Sequence, residues 1–432
     1  MRRRLGFVSL VAAAVAAALV AGAARAGSGL VVGVDDDTLK WAPAADGRTA
    51  LAAMHDLGVT AVRITVPWYP GETRLAVADR KPLDRAMIAA WGSRVVLAVY
   101  GKPDDAPQTA DDRTQYCSFV ADLLRRYPGV GDVVIWNEPN KGVFWRPQYD
   151  QLRSSVAPAA YEALLARCWD VLHEARPSVN VIAASASRGA DNPAAAAGST
   201  SPGVWYRGLG DAYRASGRSR PIFDTVGHNP YPDTSSERPW AQHATSGSIG
   251  EGDYGKLMAA LGDAFGGTGQ PLPGQANVRI WYMEQGFQST VDPSKRRLYS
   301  GSETDRQALP ASSPAAAATG ADGPAPDQAT QVANAVELAS CQPAVAAFFN
   351  FELADEPDLS GWQSGLMWPD LTPKPAYQAF KQAVANVRAG TVDCSRFPAA
   401  AIGAAPPAPA GGATGAGDQG GVIGFTIDKR RT

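Results

Sequence analysis

The sequence has few groups that bind metals and no strong charge of either sign. Four histidines and four cysteines are scattered over 432 residues, whereas a structural zinc centre draws its Cys and His ligands from closely spaced pairs. Their wide spacing argues against zinc, and no metal is expected. Charged residues make up 19% of the chain, 42 acidic against 40 basic. That balance leaves no basic face for nucleic acid or for an anionic membrane. Long apolar runs are also missing beyond Leu5 to Val20, so no segment of the main body reads as a membrane span.

The one apolar run that does occur follows Arg2, Arg3 and Arg4 and precedes Ala24-Arg25-Ala26, which is the order of a cleaved signal peptide. An uncleaved membrane anchor is the alternative, but a spanning helix needs about 20 apolar residues. No cysteine lies near Ala26 to carry a lipid. Residues 1–26 are therefore expected to be removed and the remainder secreted. Cleavage takes four of the 40 basic residues away and makes the mature chain more acidic than the whole chain's net charge of −2.

Apolar residues form 45% of the composition, enough for a large core. From Leu30 onward, short β-branched runs alternate with helical patterns. The runs are Leu30–Val34, Ala61–Val66, Val95–Tyr100, Val133–Trp136, Val181–Ala184, Thr225–Gly227, Arg279–Met283 and Ala346–Phe351. Between them, Phe119, Val120, Leu123, Leu124 and Tyr127 recur at helical spacing, as do Tyr161, Leu164, Leu165, Cys168 and Leu172. Eight strand–helix alternations predict a parallel sheet closed into a single (β/α)8 barrel, with a doubly wound open sheet as the other architecture. The catalytic domain is expected to span 27–397. The stretch 309–327, rich in Pro, Ala, Gly and Ser, reads as a flexible insertion starting at about 300. Residues 398–432 read as a low-complexity, disordered tail.

In a parallel barrel, chemistry gathers at the carboxyl ends of the strands. Strand one ends in Asp35-Asp36-Asp37, two near Arg63, four at Asn137-Glu138, six at His228-Asn229-Pro230-Tyr231, and seven at Glu284. Strands four and seven lie across the barrel, so Glu138 and Glu284 are expected to face each other over its mouth. Two facing carboxyls suit glycoside hydrolysis, one protonating the leaving oxygen and the other attacking the anomeric carbon. Arg63 is expected to hold Glu284 ionised and Asn137 to grip a sugar hydroxyl. The acidic triplet reads as a solvated or sugar-binding loop, since a calcium site wants more oxygen ligands than the neighbourhood offers. Trp68, Tyr69, Phe144, Trp145, Trp362 and Trp368 fall in loops at this end, with Trp145, then Trp362 and Trp368, the first candidates to stack on sugar rings.

Asn137-Glu138-Pro139 after an apolar strand, with Glu284 ending a later one, resembles the clan A retaining glycoside hydrolases, the superfamily that holds families 5 and 39. The likeness covers roughly residues 30 to 388. It implies that Glu138 is the acid/base and Glu284 the nucleophile, that Arg63 is the strand-two arginine of the clan, and that His228 and Tyr231 are its strand-six pair. It implies no cofactor and a carbohydrate substrate. The chain departs from the pattern where strand eight delivers "FFNFELADEPD" in place of a tryptophan, and where Asn229 interrupts the strand-six motif. A transglycosylase would share every one of these residues, and a carbohydrate-binding barrel without turnover is the rival of another class. The sugar stays open among glucan, mannan, xyloside, arabinoside and envelope polysaccharide.

Four cysteines in an oxidising compartment fit disulfides. Cys341 ends the helix before strand eight and Cys394 follows the last helix, so these two are expected to bond. Cys117 and Cys168 sit on the apolar sides of neighbouring helices, where a bond or two buried thiols would serve equally.

Overall fold

The computed structural model describes residues 29–41, 43–194, 198–302, 308–311 and 326–403. The expected leader, most of the expected insertion and the tail from 404 onward lie outside the described residues.

Eight strands follow in chain order: β1 (Val31–Asp35), β2 (Ala61–Pro67), β3 (Arg94–Tyr100), β4 (Asp132–Ile135), β5 (Asn180–Ala186), β6 (Thr225–Asn229), β7 (Arg279–Gln285) and β8 (Val345–Phe351). Each pairs in parallel with the next, and β8 returns to β1 from Val31 opposite Ala347 to Asp35 opposite Phe351. The sheet is a closed barrel, so the open-sheet architecture is excluded. Buried parallel strands are apolar on both faces, which is why short Val/Ile/Ala runs marked them. Inward side chains, among them Val96, Ala98, Val134, Ile182, Trp281 and Phe349, fill the lumen. Gly33 is required there, because a Cβ on it would stand 2.4 Å from the Phe349 ring.

The helices are α1 (Thr38–Trp41), α2 (Ala44–Leu57), α3 (Val77–Ala89), α4 (Ala110–Arg126), α5 (Ala157–Ala175), α6 (Pro202–Ala215), α7 (Tyr254–Phe265), α8 (Gln328–Ser340) and α9 (Pro375–Ala389). Their starts carry chemical stops: Thr109 and Asp112 form a reciprocal capping box on α4, and Asp327 accepts from Thr330 N on α8 at 2.7 Å. The apolar stripe of α4, from Tyr116 to Leu124, packs beside that of α5, from Tyr161 to Leu172. Each fully buried leucine in such a stripe stabilises the fold by about 1.5–3 kcal/mol. Cys117–Cys168 ties α4 to α5, which settles the alternative left by the sequence. Cys341–Cys394 ties the end of α8 to the segment after α9, as expected.

Two expectations about low-complexity stretches are corrected at their edges. Leu309 is buried, donates its N–H to Gln288 O at 2.8 Å and accepts from Thr290 N at 2.7 Å. Ala401 is fully buried, Ile402 nearly so, and Ala401 O accepts from Gln342 Nε2 at 2.8 Å. In each case an apolar side chain within a small-residue run finds a site on the barrel, so 398–403 belongs to the packed body. Among the described residues no helix is long and apolar enough to cross a membrane.

Candidate active site

The stretch Val133 to Asn140 leaves the strand by a sharp turn. Trp136 has φ +65° and Glu138 φ +36°, left-handed conformations that bulky residues adopt only when their surroundings enforce them. Enforcement comes from an aromatic cage. Trp136 packs edge-on against Trp68 and Trp145, donates its N–H to Val99 O at 3.0 Å, and donates its indole N–H to Phe144 O at 2.7 Å. The turn presents Asn137 and Glu138 to a cleft at the strand ends.

Glu284 reaches the same cleft from β7. Between Tyr282–Phe348 and Gln285–Asn350 the β7/β8 ladder slips, so that β7 carries an extra residue beside Glu284, a bulge of the kind that re-aims a side chain. Arg63 Nη1 lies 2.9 Å from Glu284 Oε1, and the Tyr231 hydroxyl donates to Glu284 Oε2 at 3.3 Å. The same guanidinium pairs with Asp35 and donates to Asn137 Oδ1 at 2.9 Å. Glu138 has different company: Asn229 Nδ2 donates to its Oε1 at 3.0 Å, and Lys141 Nζ stands 3.9 Å from its Oε2.

Electrostatics here is a contest between burial and one cation. Burial pushes Glu284 up to about 7, Arg63 pulls it down, and Glu138 pushes it up again. Burial drives Asp35 well up too, against the pull of Arg63. The expectation that Arg63 holds Glu284 ionised is corrected in degree, since one guanidinium serves two buried carboxyls. A proton on Glu138 removes the like charge facing Glu284, so protonated Glu138 and ionised Glu284 favour each other.

The cleft has a volume of about 450 Å³, and Arg63, Asn137, Glu138, Tyr231, Glu284 and Trp362 all border it. Trp362 stacks near Tyr231 and Phe351, at ring-centroid distances of 5.5 and 5.6 Å. Three expected site residues are elsewhere. Trp145 is 0% exposed and packs between Trp136 and Tyr161 as part of the turn's support. Trp368 is buried against Tyr299 and Leu359, beneath the ammonium of Lys374. His228 is 0% exposed, with Nε2 at 2.8 Å from Ile249 O and Nδ1 at 2.9 Å from Ser185 Oγ; burial lowers it to about 4, so it stays neutral. Of the other loop aromatics, Phe144 lines the cleft while Trp68 is buried.

Sequence reasoning missed Asn229 and Asp35 as partners of the charged groups. The acidic triplet borders the cleft, but Asp35 and Asp36 are buried rather than solvated: Asp35 pairs with Arg63, Asp36 accepts from Thr38, Leu353 and Ala354 N–H, and the partly exposed Asp37 pairs with Lys40 at 2.8 Å.

No protein-family model matches the sequence, and no curated protein does either. Among solved structures the chain is similar to GH5_18 from Streptomyces cattleya in complex with GlcNAc, with TM-score 0.54 and 15% identity over 84% of this chain and 81% of that one. It is similar also to a GH5_18 from Bifidobacterium longum subsp. infantis, with TM-score 0.51 and 12% identity over 83% of this chain and 79% of that one. A GH2 beta-galacturonidase from Eisenbergiella tayi matches at TM-score 0.47 and 13% identity over 80% of this chain; the chain spans about half its length, covering 47%. Likeness to the two GH5_18 structures establishes the shared barrel fold.

Proposed function

We propose that the chain is an exported retaining glycoside hydrolase that cleaves β-glycosidic bonds by double displacement. One observation carries the reading: Glu138 and Glu284, from strands on different sides of the barrel, meet in one cleft with unlike neighbours. Glu284 lies between a guanidinium and a phenol, while Glu138 accepts from a neutral amide. The barrel shared with glycoside hydrolases of family 5 supports it by analogy. The two disulfides and the leader-like residues 1–26 support passage into an oxidising compartment.

In the first step, ionised Glu284 attacks the anomeric carbon while Glu138 gives its proton to the leaving oxygen. Arg63 and Tyr231 fix the attacking carboxylate, and Asn137, held by Arg63, offers its amide to a sugar hydroxyl. In the second step Glu138, now ionised, takes a proton from water, which displaces Glu284 from the sugar. Every group in this sequence is a side chain already in the cleft. Both carboxyls standing in place with their partners favours turnover over simple carbohydrate binding.

The test is the behaviour of two variants toward azide. Glu284→Ala loses the nucleophile and should lose activity on every leaving group. Glu138→Ala should still form the glycosyl-enzyme from an activated aryl β-glycoside, and added azide, which needs no base, should release it as the β-glycosyl azide. The same azide product from both variants, or inversion by the wild type, would discard the assignment.

A further inference from the structure

Glu352 follows the last residue of β8 and borders the cleft, yet its Oε2 is shut off from solvent and has no hydrogen-bond partner. The other acids on this side are answered. Asp35 has Arg63, Asp36 has three backbone N–H groups, Asp37 has Lys40, and Glu356 accepts from Trp362 N at 2.9 Å. The cations near Glu352 are spent in the same way: Arg63 on Asp35 and Glu284, and Lys374 on Asp355 at 2.9 Å with both side chains fully buried. Burial raises the Glu352 carboxyl well above the ordinary range, and Asp36, Glu356, Asp35 and Asp355 all push it the same way.

A carboxyl oxygen sequestered without a hydrogen bond is unfavourable, and among the described residues no donor meets Oε2, while Lys374, whose charge couples to Glu352, is already paired with Asp355. Glu352 is nonetheless only partly buried and borders the cleft, so what enters the cleft can meet its carboxyl group. We propose that Glu352 is a recognition residue for an ammonium group, so that the glycan bound here carries a free amine on the sugar unit that meets the end of β8. This rests on the hydrolase reading only in taking the ligand to be a carbohydrate. An ammonium brings three N–H donors and the opposite charge, which favours ionised Glu352 and gives a charge-assisted bond. Lys141 and Arg188 border the cleft from the ends of β4 and β5, so the cleft is acidic on one side and basic on the other, and a cationic sugar is oriented by both. A uronic acid on the β8 side would set its carboxylate against Glu352, Glu356 and the acidic triplet.

The experiment compares chitosan oligosaccharides with fully N-acetylated oligosaccharides of the same length, whose backbone is identical and whose amines are uncharged. Trp362, at the cleft wall, reports binding by fluorescence in the full mature protein. The free-amine form is expected to bind about tenfold more tightly, the scale of one hydrogen bond to a charged group. Glu352→Gln should abolish the preference, and Glu356→Gln, whose parent carboxylate is occupied by Trp362 N–H, should keep it. Equal or tighter binding of the acetylated form, no binding of either, or a preference that survives Glu352→Gln overturns the proposal. If Glu352→Gln does not fold, the wild-type contrast and the Glu356→Gln control decide. Binding is read without turnover, so a chain that prefers the amine but cleaves nothing retains this inference and loses the hydrolase.

Discussion

Asn229 Nδ2 donates to Glu138 Oε1 at 3.0 Å, across the mouth of the barrel from one strand end to another. The amide also lowers Glu284, so one uncharged side chain acts on both carboxyls. It orients the pair without adding a charge that would couple to their protonation.

Replacing Asn229 with alanine should lower kcat/KM by about 10- to 100-fold, part of the 10²–10⁴ that a positioned acid–base group contributes. The loss should be greater for poor leaving groups, which in the proposed mechanism depend on Glu138 for a proton. Asn229→Asp keeps the shape but brings a carboxylate, and its pH optimum should move upward, because a like charge raises both neighbours. Steady-state kinetics over a series of aryl glycosides would test this; equal losses across the series would make Asn229 merely structural.

The pH profile should report Glu284. In the proposed mechanism it must be ionised to attack, and burial pushes it up to about 7, so kcat/KM should fall as pH drops through that region. Glu138→Gln removes the negative charge that pushes Glu284 up, and with an activated aryl glycoside its acid limb should lie at lower pH. An acid limb that does not move would show that another group sets it.

Each disulfide closes a long loop, with sequence separations of 51 and 53 residues. Replacing either pair by serines should cost about 2–4 kcal/mol. Thermal melting of the two double variants, with and without reductant, would measure it. Insensitivity of the wild type to reduction after unfolding would contradict the bonds.

Truncation should divide sharply at residue 403. Removing 404–432 should leave the melting temperature and activity unchanged. Removing 398–432 should lower it, because Ala401 and Ile402 are buried and Gln342 loses an acceptor. Identical melting of the two truncated chains would mean that 398–403 contributes nothing.

Barrel strands were legible because chains buried on both faces must be apolar and β-branched, and the helices between them because amphipathic stripes repeat every three to four residues. Glu138, Glu284, Arg63, Asn137 and Tyr231 were legible because polar residues that end such strands have few other reasons to be there. Register was not. β6 runs two residues past its expected end, and the strand alternation turns His228 toward Ser185 and Tyr206 while Asn229 faces the cleft. A shift of one position inverts which side chain is inside, and composition carries no such information. Trp145 and Trp368 failed for a related reason: a tryptophan in a loop suits a sugar face and a buried corner equally, and only the surrounding packing separates the two.

Asp36 accepts from Leu353 N at 2.9 Å and Ala354 N at 3.1 Å, partners more than 300 positions away in the chain. Those bonds close the seam between the first strand and the last at the rim of the cleft, next to Asp35 and Glu352. Contacts of such high sequence separation form late, because loop closure must be paid before they are rewarded. The cleft therefore has no precursor in any N-terminal fragment: until β8 has been synthesised and docked, Arg63 and Glu138 are present but the site is not. The proposed export from the N-terminus would deliver a complete site only after the whole barrel has crossed.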